Sequence, residues 1–286
     1  MKITLTLLLL ATVLLSCKNN TKPTTKDNTP VTILNSSQAL IQRFKPIIQG
    51  IWVKDDYIND ITKTRSPYNS RSKLNGVASV TIEMDSIKND SLDAGVSLNN
   101  HEGSDFTIYF KTVGNKHNSL KINRKDYEVK SNFFELGYCI KNNDTSLLIY
   151  HYNKDNKLLD STRYLKVIQS ESNNDMGYGI QYITNRILIT GKYTFTDSTG
   201  HVEKIGFTNE GDVAGFLNFK TFYINTDFIA GPENNLDVID FDINNNQKEY
   251  AFKFNADTLS LYETKDNADS SLLVLGKLKY RLFKTK

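Results

Sequence analysis

The chain has 286 residues, 39% hydrophobic and 23% charged, so it can bury a core and wholesale disorder is excluded. Its net charge of +3, with Lys and Arg scattered among Asp and Glu, excludes a nucleic-acid partner gripped by a basic stripe. Tyr and Phe, at 15 each against only 5 Pro, favour strands, and Asn, Asp and Ser do most of the turn-making.

Lys2 is followed by an apolar run from Leu5 to Leu15, broken by Thr6 and Thr12, and then by Ser16 and Cys17. The run falls short of the ~20 residues a helix needs to cross a bilayer. A basic start, a short apolar stretch and small residues at its end mark residues 1–16 as a secretory signal. Leu14-Leu15-Ser16-Cys17 resembles the lipobox of bacterial lipoproteins. The resemblance implies cleavage before Cys17, a diacylglyceryl thioether on its sulfur and acylation, as by palmitate, of the new amino group. Two or three such chains hold a protein firmly to a membrane. Lys18, not Asp, comes next, so the inner-membrane retention residue is missing and the expected address is the outer membrane of the cell envelope; which face it occupies stays open. Residues 17–35 therefore read as a lipidated cysteine followed by a polar, flexible tether.

With Cys17 claimed by lipid, Cys139 has no partner. A lone exported thiol is either reactive, intermolecular or simply a small core side chain. Its neighbours Leu136, Tyr138 and Ile140 favour burial.

Along the mature chain, Ser36 and Ser37 can cap a short helix through Ala39, Leu40, Ile41 and Phe44, ending before Pro46. A second brief helix is expected over residues 57–64, stopping before Pro67. Elsewhere the pattern is alternation, at residues 77–84, 106–110 and 147–152. It resumes at 186–196, 202–208, 213–224 (as two strands), 236–243, 249–254, 258–263 and 272–283. Turn chemistry lies between, at 197–200, 209–212 and 244–246. The expectation is an all-β protein of two small antiparallel up-and-down barrel or sandwich modules with a short N-terminal helix. The first module would span 36–168 and the second 186–286, joined by a polar linker at 169–185.

A faint duplication supports two modules. Gly50-Ile51-Trp52 opens one half and Gly191-Lys192-Tyr193 the other, and residues 147–152 correspond to 258–263. Residues 161–167 and 279–284 would be the closing strands. A Gly-x-Trp on the first strand with an Arg on the last resembles the lipocalin and lipocalin-like barrels. The resemblance implies that Trp52 closes the barrel floor with Arg163 across it, and that Tyr193 and Arg281 repeat the arrangement. A cation over an aromatic face is worth about 0.5–2 kcal/mol, a structural role rather than a functional one. Barrels of about eight strands hold packed side chains or one small ligand.

Chemistry-bearing motifs are sparse. His101, His117, His151 and His201 lack the spacing of a metal site, so neither a metal nor another cofactor is expected. His101 with Glu102 and His201 with Glu203 fall at turns. Asp237, Asp240, Asp242 and Asn244 look like a calcium loop, but Asn245 stands where Gly is wanted and Ala251 where Glu is wanted. Alternation explains the run better, with Ile239, Phe241 and Ile243 inward and Asp240 and Asp242 facing water. No nucleophile elbow, P-loop or dinucleotide fingerprint occurs. Arg65-Ser66-Pro67-Tyr68 and Arg71 form a polar, aromatic loop that could select a ligand or merely connect. The leading expectation is a non-enzymatic binding module for a small apolar ligand or an envelope component. The alternative is an envelope assembly subunit with filled modules, and the third is a hydrolase acting on glycans or lipids.

Overall fold

The computed structural model describes residues 36–169, 175–229, 235–243 and 246–285; the signal, Cys17 and the tether lie outside them. Helix α1 (Ser36–Ile48) precedes a closed antiparallel barrel. Its strands are β1 (Gly50–Lys54), β2 (Val77–Ile82), β3 (Ser91–Leu98), β4 (Glu102–Val113), β5 (Ser119–Lys125), β6 (Phe133–Lys141), β7 (Asp144–Tyr152) and β8 (Leu158–Ile168). Each pairs with the next and β8 returns to β1, the up-and-down order expected from the alternation. Between β1 and β2 the chain inserts α2 (Asp55–Thr64), α3 (Pro67–Ser70) and a 3-10 turn, Arg71–Leu74.

α1 runs past Pro46 instead of ending before it. Leu40, Phe44 and Ile48 repeat every four residues and are all buried, so the last turn is held by packing that outweighs the missing proline N–H. Trp52 Nε1 donates to Ile48 O at 2.7 Å and locks that end. The apolar face of α1 joins Trp52, Phe106, Phe110, Leu136 and Tyr164 in one cluster inside the barrel. The lumen is thus occupied by side chains of both strands and helix.

Helix α4 (Tyr178–Leu188) leads to a second eight-stranded antiparallel sheet. It comprises β9 (Gly191–Thr196), β10 (Val202–Phe207), β11 (Val213–Ala214), β12 (Phe222–Ile224), β13 (Val238–Phe241), β14 (Lys248–Asn255), β15 (Thr258–Asp266) and β16 (Leu273–Lys284). Here too the last strand pairs with the first. The remaining gap, between β11 and β12, is spanned by Val213 N–H to Lys220 O at 2.8 Å and Phe222 N–H to Gly211 O at 2.7 Å. Short, mutually tied edges of this kind offer no template for a foreign strand.

The halves repeat in detail. Gly50 and Gly191 both carry positive φ, at 123° and 137°, where the chain leaves a helix and enters the first strand. Two residues on, Trp52 stands opposite Lys166 and Tyr193 opposite Lys284. The cation over each ring is that lysine: Lys166 Nζ lies 4.8 Å from the Trp52 ring and Lys284 Nζ 5.6 Å from Tyr193. Burial pushes both ammonium groups below the usual lysine range. The arginines expected there do not take the position, and strand parity is the reason. Tyr164 and Lys166 share the inner face, as do Leu282 and Lys284, so Arg163 and Arg281, three residues before each lysine, point outward. Arg163 Nε instead donates to Ser146 Oγ at 2.8 Å, with Asp55 3.6 Å away.

The stretch expected as a linker and as the start of a strand at residue 186 is largely α4. Ile180, Ile183 and Leu188 fill the second module's core, while Gly179 packs on the outside of β1. The same cluster holds Ile51 and Val53 on the outer face of β1 and Tyr57 and Ile61 of α2. β1 is therefore buried on both faces, and one core serves both modules. A Cβ on Gly179 would sit 2.4 Å from Ile51 Cγ2. Gly179→Ala should therefore lose more to overpacking, about 1–3 kcal/mol, than the ~1 kcal/mol that alanine gains in a helix. A net loss in chemical denaturation is expected; a gain would show that α4 is not seated against β1.

Four further expectations change. Cys139 is exposed, because the inward run of β6 ends at Tyr138 and Ile140 is also 56% exposed. Asp240 is buried beside Ile239 and Phe241 and accepts from Gln247 Nε2 at 2.8 Å, while Ile243 turns outward. Asp242 does not simply face water: its Oδ1 accepts the N–H groups of Lys220 and Thr221, both at 2.9 Å. Among the described residues no helix is long and apolar enough to cross a membrane.

Candidate functional site

The segment 65–71 knits the modules together. Ser66 Oγ caps α3 by accepting from Asn69 N–H, and the Tyr68 N–H donates to Asp237 Oδ1 at 2.7 Å. Arg65, in the left-handed region at φ 52°, lays its guanidinium 4.2 Å from the Phe254 ring and donates to Ala256 O at 2.7 Å. Arg71 stacks on Tyr68, whose ring meets Phe228 edge-on at 5.5 Å. Every one of these partners outside the segment belongs to the second module.

A second clasp comes from the β3–β4 hairpin. Asn99 and Asn100 take positive φ in the three-residue loop between the paired Leu98 and Glu102, a conformation that Asn tolerates well. Asn100 Nδ2 donates to Thr226 O and Oγ1 at 2.8 and 2.9 Å, and both residues are buried. Next to it His101 Nδ1 meets Asp227 Oδ2 at 2.7 Å. That hydrogen bond, and then the carboxylate charge, push the imidazole above the usual histidine range. Its contribution to the clasp is fully present below the unfolded pKa of ~6.5 and is lost as pH rises through the raised folded value. Protection factors for hydrogen exchange at residues 99–102, taken against the intrinsic rate at each pH, should therefore fall on alkalinisation through neutral pH, and His101→Gln should flatten that fall.

Beside the clasp lies a cleft of about 610 Å³. The barrel contributes Ser97 and His101–Gly103, the α4 approach Asp175–Tyr178, and the second sheet Phe222 and Tyr223. Met176 braces the wall: it lies over Gly95 and Gly103, and its carbonyl accepts from Ser79 Oγ at 2.9 Å. Glu102, Asp175, Glu210 and Asp227 all line the space, with the His101 ring set against the Asp227 carboxylate. Aromatic faces and carboxylates in one concavity suit a ligand with a flat apolar part and a positive or hydrogen-donating group. Across the same clasp a smaller cavity of about 310 Å³ reaches Arg71 and Phe228.

Trp52, Arg163, Tyr193 and Arg281, the residues expected at the barrel floors, do not line this cleft, and Cys17 is outside the described residues. Of the four histidines only His101 reaches it. His151, on β7, stacks on Phe134 at 4.3 Å and hydrogen-bonds Asp126 and Asp160, both at 3.0 Å. Among the described residues no His, Cys, Asp or Glu grouping is suited to a metal ion. Asn100 and Thr226, 126 residues apart, carried no sequence signal as a pair. Compared with known protein families, curated proteins and solved structures, the chain matches none of them.

Proposed function

We propose that this is a non-enzymatic binding lipoprotein of the bacterial cell envelope, anchored through Cys17 to the outer membrane, whose ligand seats in the cleft between the two modules. The observation that carries the reading is the contrast of spaces. The barrel lumen is packed by α1 and inward side chains, whereas the seam keeps about 610 Å³ walled by aromatics and carboxylates. That lining favours a cationic, aromatic-stacking component of the envelope over the wholly apolar guest that a hollow barrel would take. The filled modules also agree with the alternative of an assembly subunit, in which case the occupant is a basic segment of a partner protein.

The test uses full-length protein purified in detergent from its own membranes. Native mass spectrometry should show a co-purifying mass, and Glu102→Gln combined with Glu210→Gln should strip it while the melting temperature holds. A mass that survives both substitutions places the ligand elsewhere. The anchor is tested separately: Cys17→Ala should move the protein out of the salt-washed envelope fraction.

A further inference from the structure

The barrel has a second opening. α1 caps one end, reaching the β4–β5 loop through Arg43 Nη2 to His117 O at 3.1 Å. At the other end, where β1 and β5 finish and β2 begins, a vestibule of about 190 Å³ remains. Its floor is Val77, Ile149 and Tyr164, all buried, and the Tyr164 hydroxyl is already committed to Val77 O at 3.0 Å. Two cations line it, Lys54 and Arg124. Lys54 Nζ donates to Asn75 O at 2.8 Å, which leaves two ammonium hydrogens. Arg124 rests 5.2 Å from the Phe134 ring, whose stacking on His151 holds it in place. Among the described residues the Arg124 guanidinium has no hydrogen-bond acceptor and no carboxylate within ion-pair distance.

We infer that this vestibule is a binding site for a small oxyanion, a phosphate or carboxylate group, held by the Lys54 ammonium and the Arg124 guanidinium above the Tyr164–Phe134 floor. Arg124 is partly buried and no protein acceptor among the described residues engages its guanidinium, and an oxyanion supplies acceptors in its preferred forked geometry. Partial burial lowers the Lys54 pKa, with Asp56 opposing and Lys73 adding to the effect, so an anion beside it is favoured in turn. The one acidic group in the lining, Asp160, is engaged by His151 Nδ1 at 3.0 Å. The space admits a headgroup and not a chain, since the lumen below is filled.

Isothermal titration of full-length protein in neutral detergent with inorganic phosphate, and separately with acetate, tests this. A saturable heat is expected for at least one of them. Arg124→Gln should weaken it about tenfold or more, and Arg124→Lys should retain part of it, with melting temperatures unchanged because the arginine makes no hydrogen bond in the fold. Water-soluble dihexanoyl phosphatidate separates the sources: binding tighter than inorganic phosphate assigns a lipid headgroup, and equal binding assigns a free oxyanion. No saturable heat from either anion, or affinity unchanged in Arg124→Gln, overturns the site. Neither variant touches the seam cleft, so this inference and the proposed function fail independently.

Discussion

Replacing Tyr57 by alanine is expected to lower the stability of the whole fold by about 3–5 kcal/mol, in one transition rather than two. Tyr57 is fully buried on α2 at the centre of the shared core, and its hydroxyl lies 2.8 Å from Thr184 Oγ1 on α4. Burial pushes the phenol far above the usual tyrosine range, so it stays neutral at every working pH. Truncation removes a ring that both modules pack against and leaves a buried threonine hydroxyl without its partner. Tyr57→Phe separates the two effects: it keeps the ring and should lose only about 1–2 kcal/mol. Urea titrations followed by Trp52 fluorescence, which reports the barrel, and by hydrogen exchange of β14 and β15, which reports the second sheet, should coincide for each variant. If the barrel signal persists after the second sheet has melted, the modules are independent and the seam cleft has no rigid walls.

Much of this was legible in the sequence, and the failures have physical causes. Alternation marks a strand with one wet face, so β2, part of β4, β7, β8 and the strands of the second sheet showed, whereas β3, β5 and β6 were not read and β1, buried on both faces, showed only through Gly50-Ile51-Trp52. α4 was hidden by its own packing: Gly177 and Gly179 look like linker residues, yet Gly179 is small because Ile51 needs the space. Helical spacing at Ile180, Ile183 and Leu188 was the available counter-signal. The closing strands were recognised, but Arg-Tyr-Leu-Lys and Arg-Leu-Phe-Lys each offer a cation on both faces. Only the parity of Tyr164 and Leu282, which are buried, selects the lysine. Asp240 reads as solvent-facing by alternation, but Gln247 supplies a partner that lets it be buried. Of the seam only the loop at Arg65–Arg71 drew notice, and its partners did not, because the contacts join residues more than a hundred positions apart, such as Asn100 with Thr226 and Arg65 with Ala256.

Glu135→Ala is expected to destabilise the barrel by about 2–4 kcal/mol, the second largest effect, although no ion pair is broken. Glu135 sits on β6 with no exposed surface, and its carboxylate organises the β4–β5 loop. The Asn115 N–H donates to both oxygens at 2.9 Å, and Ser119 Oγ donates to Oε2 at 2.8 Å. Alanine orphans the Asn115 N–H, leaves Ser119 Oγ only Lys116 O at 2.9 Å to donate to, and opens a polar void that a water can fill only if the loop loosens. Glu135→Gln keeps an acceptor oxygen and should lose less than half as much. Gly114 makes the arrangement checkable from the other side, since a Cβ there would lie 2.5 Å from Glu135 Oε2. Gly114→Ala should therefore destabilise the wild-type chain and less so the Glu135→Ala background, where of these contacts only Ser119 Oγ at 2.7 Å remains, a coupling that a double-mutant cycle reads directly. Additive losses would mean that the loop is held by something other than the carboxylate, and hydrogen exchange at Asn115 would then be unchanged in Glu135→Ala.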